Sequence, residues 1–181
     1  MKNRRYWSGE LITSLKPNEI FVFGSNPEGI HGAGSAKAAI AFGAKYGIGR
    51  GLVNNTYALV TKNLNSGYTE KSTGITYKKS GYRSVSPEQI RKNIDELYEC
   101  AIRNPDKDFL ITYKYETWPN GLPKKSLNGY TSQEILEMFA RDFIPENIIF
   151  HESYKPHLEK FLQNKKINLI KYINFYLIKM F

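Results

Sequence analysis

Glu19-Ile-Phe-Val-Phe-Gly-Ser-Asn-Pro-Glu-Gly-Ile-His-Gly-Ala-Gly-Ser-Ala-Lys-Ala-Ala39 decides the fold. The first six residues are an apolar run closed by glycine, the pattern of a buried strand that must turn sharply at its end. Ser35 opens an alanine-rich segment to Ala44, which predicts a helix able to lie close to a sheet. The motif is therefore strand, glycine loop, helix. Of the 14 glycines, eight fall between Gly24 and Gly51, and Gly24, Gly29, Gly32 and Gly34 crowd this one loop. Glycine permits positive φ and carries no Cβ, so a phosphate can approach main-chain N–H groups beside a helix start. The helix dipole is worth about 0.3–1 kcal/mol and each N–H donated to a charged oxygen about 1.5–3 kcal/mol, so converging amides would dominate such a site. Gly29-Ile-His-Gly-Ala-Gly34 fits neither the dinucleotide-fold spacing nor the phosphate loop ending in Lys-Ser/Thr. Ser25, Asn26 and His31 add hydrogen-bonding side chains where a ribose or pyrophosphate would lie.

Working outward, Gly43 to Gly51 is a second glycine-dense connection, Tyr57 to Thr61 reads as another buried strand, and Asn63 to Gly81 as a polar loop. Ser86-Pro87-Glu88 is a strong helix entry, and Ile90, Ile94, Leu97, Tyr98, Ala101 and Ile102 give the helix one apolar stripe. Asp108 to Tyr113 predicts a third strand, Glu116 to Tyr130 a Pro/Gly-containing loop, Thr131 to Phe143 a third helix and Asn147 to Phe150 a fourth strand. Strands alternating with helices predict an α/β layer fold with a largely parallel sheet, in which ligands sit at the carboxyl ends of strands. Thr61, Thr112 and Tyr113, at such ends, join the expected ligand-binding set.

The chain has 181 residues, 41% of them hydrophobic, and a formal charge of +9. That length fits one domain. The charge is uneven: residues 1–10 carry +2, residues 155–181 carry +5, and the body between them, with 17 basic and 15 acidic residues, only +2. A nearly neutral body disfavours nucleic acid as the partner of the main domain. The alternative is an interaction module whose basic tail binds nucleic acid or protein, with salt-dependent affinity. Cys100 is the single cysteine, so no intramolecular disulfide forms and no Cys/His cluster has zinc spacing. No apolar stretch is long enough to span a membrane, and the N-terminus lacks a secretory pattern, so a cytoplasmic protein without metal or cofactor is expected. Residues 1–154 are read as the α/β domain and residues 155–181 as a basic, apolar extension.

Phe21 to Asn26, Gly29 to Ala39, Gly43 to Leu52 and Tyr57 to Lys62, followed by Asn104-Pro-Asp, Phe109 to Thr112, Gly129-Tyr130 and Ile144 to Ile149, together resemble the macrodomain-like proteins of phages and prophages. The resemblance spans roughly residues 19–154. It implies a three-layer α/β/α macrodomain fold that binds ADP-ribose or a related NAD-derived nucleotide, and either hydrolyses ADP-ribosyl linkages or sequesters a host defence signal. It implies that Asn26 faces the distal ribose and that Gly32, Ala33 and Gly34 offer amides to the diphosphate. Asn26 is then the candidate for orienting a water, with His31 as a candidate proton exchanger. One segment departs from the pattern. Where a short second glycine loop belongs, this chain has Tyr113 to Asn128, whose Tyr113, Tyr115 and Trp118 could stack on a ring and whose Lys114, Lys124 or Lys125 could meet phosphate.

Overall fold

The computed structural model describes residues 4–164. In chain order its strands are β1 (Tyr6–Trp7), β2 (Glu19–Ser25), β3 (Gly51–Val53), β4 (Thr56–Val60), β5 (Tyr68–Thr69), β6 (Thr76–Tyr77), β7 (Asp108–Ile111) and β8 (Ile148–His151). Its named α-helices are α1 (Gly34–Ala39), α2 (Pro87–Arg103) and α3 (Ser132–Phe139). Residues 155–164 are also helical.

Six strands form one sheet in the order β1-β8-β7-β2-β4-β3, parallel throughout except for the antiparallel β3 edge. The alternation of β2 explains why it is buried on both faces. Ile20 and Val22 join the cluster built on α2 and α3. Phe21 and Phe23 point the other way, against Ala36 and Ala39 of α1. Alanine on α1 lets that helix sit close enough to cover two phenylalanines. The expected α/β architecture with a mostly parallel sheet and helices on both faces is what the chain forms.

Local chemistry sets the helix boundaries. The Ser86 hydroxyl accepts the Gln89 N–H at 3.2 Å, with proline in the first turn of α2. Thr131 and Glu134 form a reciprocal capping box at the start of α3. That helix stops at Phe139 rather than Phe143, because Ala140 turns to extended backbone. Similarly α1 ends at Ala39 and tightens into a 3-10 turn, Ile40–Phe42, before Gly43 at φ 102°.

The expected polar loop at 63–81 contains a two-stranded hairpin, β5–β6. Arg50 anchors it. Its guanidinium donates to both Glu70 carboxylate oxygens, Nε at 2.7 Å and Nη2 at 2.9 Å, and reaches Asn93 and Glu96 on α2. Burial works to raise the Glu70 carboxyl, but Arg50 and the Tyr77 hydroxyl overcome it and hold it below the usual carboxylate value. Cys100 packs at the edge of the core, and burial pushes its thiol up. The C-terminal extension is not wholly separate, since Leu158 lies in the core and Leu162 packs against it. Residues 165–181, on which the interaction-module alternative rests, lie outside the described residues.

Candidate functional site

Strand β2 pairs with β4 on one side and β7 on the other. The chain leaves β2 through α1 on one face and leaves β4 through α2 on the other, which opens a crevice at the carboxyl end of β2. A cleft of about 990 Å³ lies there. Its floor is Gly24, Ser25, Thr61, Thr112 and Tyr113; one wall is Asn26, Ile30 and Gly32 to Ala36, and another runs from Lys124 to Asn128. Gly24, Ser25, Asn26, Gly32, Ala33, Gly34, Ser35, Thr61, Thr112 and Tyr113 of the candidate set thus line one cleft.

Gly29 and His31 do not. Gly29 has φ 70°, and a Cβ there would overlap the backbone of Gly47 and Ile48. It serves packing between the two glycine loops, with its carbonyl accepting the Gly47 N–H at 3.0 Å. His31 is fully buried, edge-on to Phe23 and beside Tyr46, and its Nε2 faces the Lys45 carbonyl oxygen at 3.0 Å. Its Nδ1 has no hydrogen-bond partner among the described residues. A histidine in that position cannot exchange a proton with a ligand in the cleft, so the candidate catalytic role for His31 is replaced by a packing role.

Asn26 lines the cleft, yet its amide braces the loop. Nδ2 donates to the Ile30 carbonyl at 2.7 Å, and Oδ1 accepts the Ile30 N–H at 3.1 Å. The wall beyond is different. The first bond of the α1 turn is Lys37 N–H to the Ala33 carbonyl at 3.2 Å, and the N–H groups of residues 32–36 donate to no acceptor among the described residues.

The long segment after β7 is the opposing wall. The Leu127 side chain lies over Gly34, where a Cβ would come within 2.8 Å of it. Lys124 and Lys125 line the cleft, but Trp118 stands outside over Lys124, and Tyr115 stacks on His157 at 3.6 Å. Of the three expected aromatics only Tyr113 reaches the cleft. Its hydroxyl lies 2.9 Å from Thr61 Oγ1 and occupies the space that a Cβ on Gly24 would need. Burial pushes this phenol up to about 12.

Sequence reading missed the third side of the cleft, made by Trp7 and by Glu10 to Thr13. The Trp7 indole N–H donates to the Ile111 carbonyl at 2.9 Å, which fastens this segment to the end of β7. Four lysines line the cleft, Lys62, Lys114, Lys124 and Lys125. Lys114 pairs with Glu10 at 3.4 Å and Lys124 with Glu116 at 3.8 Å, whereas Lys62 and Lys125 have no carboxylate partner among the described residues. Two uncompensated cations and a row of free amides make the lining suited to an anion.

Among the described residues no group of three His, Cys, Asp or Glu side chains could hold a metal ion, and no helix is long and apolar enough to cross a membrane. Comparison with protein-family models, curated proteins and solved structures returns no match.

Proposed function

We propose that the cleft binds ADP-ribose or a related NAD-derived nucleotide, in the manner of a macrodomain-like protein. The run of backbone N–H groups at residues 32–36, unpaired along one wall, carries this reading. The first N–H groups of a helix have no partner within it, and here they follow exposed residues, Gly32 to Gly34, along a concave surface, an arrangement that suits an anionic ligand. A cleft of about 990 Å³ falls within the range of small-molecule sites. The diphosphate would take the amides, with Lys62 and Lys125 supplying charge. The apolar stretch of Ile12, Phe21, Ala38, Ala41 and Phe42, which also lines the cleft, suits a base.

The reading is of a protein that sequesters its ligand. His31 is withdrawn from the cleft, and each end of the Asn26 amide is bonded to Ile30, which supports a bracing role for Asn26 over a catalytic one. Calorimetric titration of the full chain with ADP-ribose is the test. Saturable heat at micromolar to submillimolar ligand is expected, and silence up to millimolar overturns the proposal. Incubation with cyclic ADP-ribose followed by denaturation should return intact ligand; ring-opened product would make the chain a hydrolase.

A further inference from the structure

The floor of the cleft contains a hydroxyl proton with no internal use. Asn128 Oδ1 accepts the Tyr130 N–H at 3.0 Å and also the Ser126 hydroxyl. These two bonds fix which way the amide faces, so its Nδ2 donates to the Tyr113 hydroxyl oxygen, 3.3 Å away. That oxygen also lies 2.9 Å from Thr61 Oγ1. The two hydroxyls own two protons, and one of them is consumed between the two oxygens. Whichever direction that bond takes, the other proton has no acceptor among the described residues. If Tyr113 donates to Thr61, the threonine proton is left over; if Thr61 donates, the phenolic proton is.

The setting directs that proton outward. Thr61 is 3% exposed and Asn128 3%, so bulk water has little access to the pair except through the cleft that Thr61, Tyr113, Asn128 and Gly24 line. Gly24 is glycine at this position because a Cβ would overlap the Tyr113 oxygen. The two carboxylates on the lining, Glu10 and Glu116, are paired with Lys114 and Lys124.

We infer that the Thr61–Tyr113 pair is an oxyanion donor that binds a phosphate oxygen of the ligand, opposite the glycine amides. The spare proton rewards a charged acceptor most, because hydrogen bonds to an ionised oxygen are about twice as strong as neutral ones. The two hydroxyls are delivered from two places in the fold, the end of β4 and the segment after β7. This inference rests on the nucleotide reading of the cleft.

The test compares three probes, ADP-ribose, inorganic pyrophosphate and adenosine, on the full chain. Thr61→Val/Tyr113→Phe removes both hydroxyls while keeping the side-chain shapes. It should weaken ADP-ribose and pyrophosphate at least tenfold and leave adenosine within threefold. Restoring one hydroxyl, in Thr61→Ser/Tyr113→Phe, should recover part of the loss. Asn128→Asp, which keeps the Oδ1 contacts but turns the amide donor into an acceptor for the Tyr113 proton, should weaken both anions tenfold or more. The loss should be clearly greater than in Thr112→Asp, which adds the same charge to the lining without an acceptor on Tyr113; equal losses in the two overturn the inference. Asn128→Asp serves in place of the double variant should that one melt early. ADP-ribose binding within threefold of the parent in these variants, or equal losses for adenosine and the anions, overturns the inference while leaving the nucleotide reading intact. Pyrophosphate binding that needs the pair in a chain that ignores ADP-ribose removes the nucleotide reading and keeps the donor.

Discussion

Residues 26–31, with a single glycine, and residues 32–36, every one of them small, follow one another from the end of β2 into the first turn of α1 and do opposite things. The first stretch is closed on itself. Asn26 is bonded at both ends to Ile30, Gly29 is bonded to the second glycine loop, and His31 is buried against Phe23. The second stretch has no acceptor for its N–H groups among the described residues and borders the cleft. Glycine in the first half exists so that two backbones can touch; in the second half it exposes a backbone. The packed half acts as the fixed base from which the open half is presented. Such rigidity matters for recognition, since amides held in place lose little entropy when a ligand arrives.

The comparison is most directly broken at Gly29. Alanine there must adopt φ 70° and overlap the backbone of Gly47 and Ile48. Positive φ and overpacking each cost about 1–3 kcal/mol, so Gly29→Ala should lose about 3–5 kcal/mol in a urea titration. A loss below about 1 kcal/mol would show the two glycine loops to be loosely joined. His31→Ala is next. Emptying a fully buried ring site should cost about 2–4 kcal/mol, and the folded fraction should bind ADP-ribose with parental affinity. A normal melting curve combined with lost binding would return His31 to the site. Asn26→Ala removes two bonds from the brace and should cost about 1–3 kcal/mol. It should also weaken ADP-ribose severalfold by loosening the open half, read by calorimetry; unchanged affinity would separate the brace from the seat.

How much of this was legible depends on whether a residue's partner is near in sequence. Strand β2 and helix α2 announce themselves, the first by an unbroken apolar run, the second by Ser86, Pro87 and a regular stripe. Strands β1 and β3 are two and three residues long and carry no period. The second is set by a turn at Asn54, which takes φ 50°, a conformation that composition does not advertise. The β5–β6 hairpin hides inside polar sequence because its anchor is one ion pair, Arg50 with Glu70, twenty residues apart. At the cleft, Thr61, Thr112 and Tyr113 followed from their places at strand ends, and Gly24 from the crowding of glycines after β2. The division between Gly29 and Gly32 did not, because a glycine needed for close packing and one needed for open amides read identically. Nor did Trp7, whose indole reaches the cleft by pairing β1 to the far edge of the sheet.

Gly32 sharpens the comparison with the smallest expected change in stability. A Cβ added there meets nothing within 4 Å, and its backbone does not use positive φ. Gly32→Val should therefore change the unfolding free energy by no more than about 0.5 kcal/mol, as for a surface position without special constraints. The added methyl groups enter the space beside the unpaired amides, so a phosphate can no longer close to hydrogen-bonding distance. Each N–H to a charged oxygen is worth about 1.5–3 kcal/mol, and losing one corresponds to an affinity loss of tenfold or more. The informative result is the contrast with Gly29→Ala: one glycine should govern folding and the other binding, three residues apart. Were Gly32→Val to bind ADP-ribose as the parent does, the open amides would not be the seat of the diphosphate, and the ligand would have to be held by the lysines and the hydroxyl floor instead.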